Sequence, residues 1–256
     1  MLYFIGLGLH DESDMSLKGL ETLKRCDEVY AEFYTNPFCG DPKSLEKMAG
    51  KKVFVLKRAD LEENPSENVL KNAGELDVAL IVSGDPMVAT THIDLMLRAK
   101  KKGIGCRVIH SSSIYSAVAE TGLQIYKFGK TASIAYPCGG YFPTSPYDTL
   151  KENLGRGLHT LFLLDVKAEE NRFMSVGGAI GLLLEMEKQK KAGIFDAGTL
   201  CVGVARLGGE ALIKAGAAGE LAKEAFGKPP HCLIIPGKLH YMEEEALASL
   251  QTGKIQ

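Results

Sequence analysis

Residues 77–92, DVALIVSGDPMVATTH, set the pattern of this chain. The apolar run 77–82 has the length and continuity of a strand buried on both faces of a parallel sheet. A Gly-Asp-Pro turn at 84–86 ends the run, and a helical pattern over 93–102 follows, with its basic residues at the carboxyl end, where they favour the helix dipole. This order predicts a strand, a tight turn and a helix, the repeating unit of an α/β fold.

The same alternation extends over the whole chain. Further strands are predicted at 2–7, 28–33, 52–56, 105–110, 131–136, 160–166, 199–207, 211–214 and 231–236. Helices are predicted from about Ser16, after Asp41, and over 177–192 and 216–226. Longer irregular stretches interrupt the rhythm beyond residue 113. We therefore predict an α/β fold with a largely parallel sheet, divided into two α/β domains, 1–112 and 113–256.

The composition excludes several classes of protein. The 256 residues carry 30 Lys and Arg against 32 Asp and Glu, a net charge of −2, so the chain lacks the positive field that binds nucleic acid. The six cysteines form no C-x-x-C pair, and we expect reduced core thiols and no metal site. The apolar start lacks a basic flank and no apolar run has the length of a membrane span. These features predict a cytoplasmic protein with no membrane contact.

Two glycine motifs resemble phosphate-binding loops and fail on spacing. Gly6-Leu7-Gly8 closes the first strand, but a dinucleotide fingerprint requires glycine at position 11, where this chain has Asp11. Gly129-Lys130-Thr131 resembles the end of a phosphate loop, but position 124 is Gln124 and not glycine. Hydrolase motifs such as HExxH and G-x-S-x-G are absent from the sequence. A dehydrogenase is therefore disfavoured, and neither an NTPase nor a hydrolase is supported.

Three polar features lie where parallel strands end or begin. Asp85 follows a strand, where open parallel sheets collect their ligands, and it either contacts a ligand or caps its own turn. The serines of 111–113 follow another strand, and an N-cap cluster is the favoured interpretation. His231 opens a strand, where a lone histidine is more often structural than catalytic. The residues alone leave these alternatives open.

A set of longer motifs resembles one known family. The motifs are YFIGLGL, AEFYT (31–35), SGDPMVATTH (83–92), SIYSAV (113–118), IYKFGKT (125–131), FPTSPYD (142–148), GLHTL (157–161), LDVKAE (164–169) and PPHCLIIPGKLH (229–240). Together they resemble the archaeal-type diphthine synthases of the tetrapyrrole methylase superfamily, essentially from end to end.

The resemblance implies an S-adenosylmethionine-dependent methyltransferase with the donor in a cleft between two tetrapyrrole methylase-like α/β domains. The implied acceptor is the amino group of a carboxy-aminopropyl histidine on translation elongation factor 2. Three methyl transfers to this amino group give diphthine, a step in diphthamide biosynthesis. The family is typically homodimeric, so a homodimer is expected as well.

The resemblance also implies a set of donor-binding residues. By motif these are Leu9, Asp85, Val88, Ser113, Ile114, Leu164, Leu207 and His231. Many are aliphatic, which fits contacts made through main-chain groups while side chains exclude water. We expect Asp85 to hold the ribose hydroxyls or the ammonium group of the donor. Catalytic residues are left unassigned, because methyl transfer from a sulfonium depends mainly on the positioning of the two reactants.

Three alternatives remain open at this stage. A tetrapyrrole methyltransferase would share the fold and the donor but would methylate a ring carbon. A protein-binding module on the same fold would bind no donor. A nucleotide-dependent dehydrogenase would be stabilised by NAD.

Overall fold

The computed structural model describes residues 1–250, apart from the side chain of Glu169. These residues form two compact units. The first unit is Met1–Ser116 with Ala168–Glu170, and the second is Ala117–Lys167 with the chain from Asn171 onward. The α/β fold is confirmed, while the domain boundary at residues 112 and 113 stays a prediction.

The first unit is built on a parallel sheet. From the amino terminus the elements are β1 (Leu2–Gly6), α1 (Leu17–Arg25), β2 (Glu28–Glu32), α2 (Pro42–Ala49), β3 (Val53–Leu56), α3 (Arg58–Glu62), β4 (Val78–Val82), α4 (His92–Lys101), β5 (Cys106–Ile109) and α5 (Ile114–Ala117), whose last residue belongs to the second unit. The strand order is β3-β2-β4-β1-β5, and every pairing is parallel. The predicted parallel sheet is confirmed here, and each predicted strand lies within one residue of the observed ends.

The central strand β4 is buried on both faces. Val78, Leu80 and Val82 pack into one apolar cluster, whereas Ala79 and Ile81 pack into another on the opposite face. Because neither face of β4 meets water, its sequence is continuously apolar and does not alternate. This strand therefore forms the rigid centre from which the turn at residues 83–86 projects.

The predicted helix starts are confirmed by their caps. The Ser16 hydroxyl accepts a hydrogen bond from the Gly19 amide at 3.0 Å, and Asp41 caps Lys43 at 3.0 Å. Each cap satisfies an amide that has no partner inside its helix. Helix α4 ends in Arg98, Lys100 and Lys101, next to the negative end of its dipole.

The second unit has a different sheet. Its elements are β6 (Ala132–Ile134), α6 (Ser145–Gly155), β7 (Thr160–Leu164), β8 (Val166–Lys167), β9 (Arg172–Phe173), α7 (Val176–Lys190), β10 (Leu200–Ala205), β11 (Leu212–Ala217), α8 (Ala218–Leu221), β12 (His231–Ile235) and α9 (Tyr241–Ser249). The main sheet has the order β11-β10-β12-β7-β6.

The prediction of a largely parallel sheet is wrong for this unit. Only β6 and β7 pair in parallel, while β10 is antiparallel to both β11 and β12, and β12 is antiparallel to β7. The short connection from β10 to β11 can only join antiparallel strands. An apolar run reports burial but not direction, so the sequence pattern could not reveal this difference.

The helix predicted over 216–226 is also wrong for most of its length. Strand β11 continues to Ala217, which pairs with Leu200, and α8 spans only Ala218–Leu221. The alanine-rich segment has good helix propensity, but pairing with β10 satisfies its backbone groups along the sheet edge. The helix predicted over 177–192 is confirmed by α7.

Half of the cysteines behave as predicted. Cys26, Cys201 and Cys232 are buried thiols, and burial raises their pKa to about 11, about 12 and about 12 respectively. Cys39 and Cys138 are exposed, so the expectation of core thiols is wrong for these two positions. Among the described helices, none is both long and apolar enough to span a bilayer.

Candidate functional site

The carboxyl edge of the first sheet brings together the loops that follow β1 and β4. Gly8 and Gly84 form an antiparallel bridge, with N–H to O distances of 3.2 and 2.7 Å. Both glycines have positive φ angles, 96° and 76°, which other residues rarely adopt. A side chain at Gly6 would lie 2.7 Å from the Gly84 carbonyl and from Ser111. The Gly-x-Gly motif is therefore explained by close packing between three strand ends.

Asp85 lies at the centre of this edge, and its side chain is used within the chain. One carboxylate oxygen accepts a hydrogen bond from the Met87 amide at 2.9 Å. The other accepts from the Ser111 amide at 3.2 Å and lies 2.8 Å from His110 Nδ1. The carboxylate therefore joins the turn after β4 to the turn after β5. These contacts favour a role in holding both turns, whereas direct contact with the donor stays a prediction.

The other predicted residues of this unit lie at the same edge. Leu9 follows β1, Val88 follows β4, and Ser113 and Ile114 follow β5. Ser113 is buried, and its carbonyl accepts hydrogen bonds from the amide and the hydroxyl of Ser116, both at 3.0 Å. The short helix α5 begins at Ile114, but these hydrogen bonds use the main chain of Ser113, so the interpretation of 111–113 as an N-cap cluster stays a prediction.

Three buried polar atoms belong to residues that follow strands of this sheet. Ser83 Oγ, Tyr34 Oη and Glu12 Oε2 find no hydrogen-bond partner among residues 1–250. They follow β4, β2 and β1 respectively. Buried polar groups in folded proteins are almost always hydrogen-bonded, so these three atoms are candidates for contact with a ligand. The first unit therefore has a polar edge suited to a small ligand with hydroxyl, amino or carboxylate groups.

A buried acid and a buried histidine support this edge from behind. Glu32 accepts hydrogen bonds from the amides of Tyr34 and Thr35, both at 3.2 Å, and lies 3.7 Å from His92 Nε2. Desolvation raises the pKa of Glu32, although the hydrogen bonds from Thr35 and the charge of His92 oppose that shift. His92 Nδ1 lies 2.9 Å from the Pro86 carbonyl. The pair therefore anchors the turn that carries Asp85.

One edge of the second sheet collects the remaining predicted residues. Leu164 ends β7, His231 begins β12 and Leu207 follows β10. Because β12 is antiparallel to both neighbours, its start lies beside their ends, and Ala205 pairs directly with His231. The structure therefore brings these three residues to one edge of the second sheet.

His231 is held as a neutral ring with one nitrogen available. Its Nε2 lies 3.0 Å from the Lys228 carbonyl, whereas its buried Nδ1 has no partner in the described part of the chain. Desolvation lowers the pKa of His231, and the hydrogen bond to Lys228 only partly offsets this effect. A neutral ring that donates through Nε2 presents Nδ1 as an acceptor. His231 is therefore suited to accept a hydrogen bond from a ligand.

Arg206 orders the loop that leads to His231, and the sequence patterns did not single it out. Its guanidinium donates to the carbonyls of Phe226, Lys228 and Glu210 at 2.6, 2.7 and 3.1 Å. Its φ angle of 52° is left-handed, which is uncommon for a residue other than glycine. A charged residue directly after a strand was the available signal, but nothing in the sequence indicated which carbonyls it would bind.

His110 is a further site residue that the patterns missed. The predicted strand 105–110 included it, but β5 ends at Ile109, and the His110 side chain contacts Asp85. A polar residue at the end of a strand was the same signal that singled out Asp85.

Two further sequence interpretations have structural outcomes. The segment at Gly129 and Lys130 packs on Asn153, whose side chain bonds the Lys130 amide and carbonyl at 3.1 and 2.8 Å, so it is a loop before β6. The irregular segment 137–146 and its flanks carry four aromatic side chains, Tyr136, Tyr141, Phe142 and Tyr147, and most of them pack inward. Tyr147 is fully buried, and only Tyr141 among these four is strongly exposed.

Comparisons with known proteins agree with this architecture. Residues 1–221 match the family model of the Tetrapyrrole (Corrin/Porphyrin) Methylases. The diphthine synthase of Methanocaldococcus jannaschii is 50% identical over 254 residues, with 98% of each chain covered. That of Methanosarcina mazei is 51% identical over 261 residues, covering 99% of this chain and 97% of the relative.

Solved structures agree as well. A crystal structure of diphthine synthase superposes with a TM-score of 0.88 at 39% identity, covering 98% of this chain and 95% of the other. A crystal structure from Entamoeba histolytica, provisionally named diphthine synthase, gives a TM-score of 0.91 at 39% identity, covering 98% of both chains. The chain therefore belongs to the tetrapyrrole methylase family, among its diphthine synthases.

Proposed function

We propose that this chain is an S-adenosylmethionine-dependent N-methyltransferase of diphthamide biosynthesis. Its acceptor is the amino group of the carboxy-aminopropyl histidine of translation elongation factor 2, which receives three methyl groups to give diphthine. The observation that carries this proposal is the identity of about half of all positions with diphthine synthases over nearly the full length of both chains. We further propose that the enzyme acts in the cytoplasm as a homodimer.

The unpartnered polar atoms fit a polar donor. Ser83 Oγ in the first unit and His231 Nδ1 in the second are buried and lack partners within residues 1–250. The hydroxyl can donate and the ring nitrogen can accept, which matches the hydroxyl, amino and carboxylate groups of S-adenosylmethionine. When bound, this donor supplies a methyl group from its sulfonium sulfur.

The residues of the chain would bind the donor mainly through the backbone and through apolar walls. Leu9, Val88 and Ile114 are half-buried at the first edge, and Leu164 and Leu207 are buried at the second. Such side chains exclude water, while adjacent amides and carbonyls offer hydrogen bonds. Exclusion of water also favours the uncharged form of an amine, which is the form that attacks.

Calorimetry with S-adenosylhomocysteine tests donor binding at the proposed residues. His231→Ala should weaken binding about tenfold, because one hydrogen bond to a desolvated group is lost. Tyr141→Ala is a suitable control, since Tyr141 is 69% exposed and is not among the proposed donor-binding residues. Equal affinity for the wild type and His231→Ala would remove His231 from the site. An absence of binding to the wild type would favour a protein-binding module.

Two parallel methylation assays separate the proposed acceptor from that of other tetrapyrrole methylases. In both assays the protein is incubated with labelled S-adenosylmethionine. One assay contains a corrin precursor, and the other contains elongation factor 2 carrying the unmethylated intermediate. We expect label on elongation factor 2. Label on the corrin precursor alone would contradict the proposed acceptor while leaving the donor assignment intact.

A further inference from the structure

The polar edge of the first unit contains an aspartate and a histidine in direct contact. His110 Nδ1 lies 2.8 Å from Asp85 Oδ2, and the two side chains are 71% and 7% exposed respectively. The Asp85 carboxylate is itself fixed by the amides of Met87 and Ser111 at 2.9 and 3.2 Å. A buried, immobilised carboxylate thus contacts one nitrogen of a largely exposed histidine ring.

This contact sets the tautomer of His110. An ionised carboxylate only accepts hydrogen bonds, so Nδ1 must carry the proton that points at Asp85. In the neutral ring, Nε2 then has a free lone pair. Because the ring is largely exposed, Nε2 can take a proton from a bound group and later release it to water. The geometry is that of an oriented proton acceptor.

The proposed reaction gives such an acceptor a role. In water an amine is mostly an ammonium near neutral pH, so one proton must leave its nitrogen before the lone pair can attack. In each transfer the nitrogen lone pair forms the new N–C bond, and the electron pair of the broken C–S bond stays on sulfur. Conversion of a primary ammonium to a trimethylammonium therefore releases three protons, one per transfer.

We infer that His110 accepts these protons and that Asp85 is the positioning residue that orients it. This inference rests on the proposed function, because it assumes an amine as acceptor. His110 Nε2 removes one proton from the bound ammonium, the neutral amine is methylated, and the imidazolium returns its proton to solvent before the next transfer.

The charged surroundings of His110 are consistent with this role. Asp85 contacts the ring and stabilises the imidazolium that forms, as a carboxylate does in other aspartate–histidine pairs. Ser111 connects the turn to the main chain of Asp14, and Arg107 lies exposed on β5.

The trimethylated nitrogen has no N–H, so it cannot donate to Nε2. Loss of this hydrogen bond favours release of the final product over its precursors.

The first test separates proton transfer from structural support. In His110→Asn the side-chain amide can still donate to Asp85, but the variant has no basic nitrogen. We expect the methylation rate to fall about 100-fold or more near neutral pH. The deficit should shrink as pH rises, because the neutral amine then forms without a base. Arg107→Gln, on the same strand, should keep the wild-type rate.

A second test measures binding without the methyl donor. His110→Ala should weaken binding of elongation factor 2 carrying the unmethylated amine by about tenfold, because a charge-assisted hydrogen bond is lost. Binding of the trimethylated product should be unchanged. Equal weakening of both forms would indicate general loss of structure and would overturn the inference.

The outcomes distinguish this inference from the proposed function. A wild-type protein that neither binds S-adenosylhomocysteine nor methylates elongation factor 2 overturns both. An active wild type with a His110→Asn variant of equal rate, or with a deficit that does not depend on pH, overturns only the role of His110.

Discussion

The two sheets bring their site residues together by different topologies. In the first unit all strands are parallel, so every proposed residue follows a strand: Leu9 after β1, Asp85 and Val88 after β4, and Ser113 after β5. In the second unit the site combines strand ends with the start of β12, because antiparallel neighbours meet end to start. A rule that searches only strand ends is therefore sufficient for a parallel sheet and incomplete for an antiparallel one.

The units also differ in where they bury their acids. In the first unit Glu32 and Asp85 lie at the proposed binding edge. In the second unit Glu243 lies at the edge opposite His231, where it contacts Lys127 and His159, the latter at 3.0 Å. Burial raises the pKa of Glu243, but hydrogen bonds from Lys127, the Gln124 and His240 amides and His159 outweigh it and hold the pKa at about 2. We expect stability and binding to be coupled in the first unit and separable in the second.

The largest expected effect is on the second unit. Glu243→Gln should lower the free energy of unfolding by about 4 kcal/mol at pH 7, because it removes the buried negative charge that pairs with Lys127. Because the pKa of Glu243 is lower in the folded state than the unfolded value of 4.5, its negative charge stabilises the fold above pH 4.5. This contribution is lost as pH falls towards about 2. Denaturation between pH 7 and pH 2 measures both effects.

A matched control and a binding assay complete this test. Glu244→Gln changes an exposed neighbour and should shift stability by less than about 0.5 kcal/mol. S-adenosylhomocysteine affinity should be unchanged in Glu243→Gln under conditions where the variant is folded. Weakened binding there would mean that the two edges of the second unit are coupled.

The next effect concerns the bridge at the first edge. Gly8→Ala forces a side chain onto Asp14 at a left-handed φ, and we expect a loss of about 3 kcal/mol in stability together with weaker donor binding. Thermal unfolding and calorimetry measure the two losses. Wild-type affinity in a destabilised Gly8→Ala protein would contradict the coupling of stability and binding in this unit.

A smaller effect is expected at the partner glycine. Gly84 also has a positive φ, but an added Cβ there would meet no atom within 4 Å. Gly84→Ala should therefore cost about 1 kcal/mol from backbone strain alone. An equal cost for both variants would show that packing against Asp14 contributes nothing at Gly8.

The smallest effect is expected at Glu32, and its pH dependence has the opposite sign. Burial raises the pKa of Glu32, so its protonated form stabilises the fold below pH 4.5, and this contribution is lost as pH rises through the folded-state pKa. Glu32→Gln mimics the protonated form and should change stability at pH 7 by less than about 1 kcal/mol. A loss as large as that of Glu243→Gln would contradict the contrast between the two acids.

Sequence patterns predicted the strands well and their directions poorly. The run at 231–236 was recognised as a strand because it is buried, but nothing in it indicates an antiparallel partner. The segment 216–226 was assigned to a helix because local propensity cannot account for an edge that needs a partner.

For the site, the sequence indicated positions and not partners. Asp85 was recognised from its place after β4, but its bonds to Met87 and Ser111 depend on how two distant turns pack. His110 was absorbed into a predicted strand one residue too long. Arg206 acts through carbonyls of a loop twenty residues away in the chain, which no local pattern encodes.

The most direct test of the central claim is a count of methyl groups on the acceptor. Elongation factor 2 carrying the unmethylated carboxy-aminopropyl histidine is incubated with this protein and excess S-adenosylmethionine, and the modified peptide is analysed by mass spectrometry. We predict three methyl groups on the amino nitrogen of that one side chain. An unmodified peptide, despite measurable binding of S-adenosylhomocysteine to the protein, would contradict the proposed function.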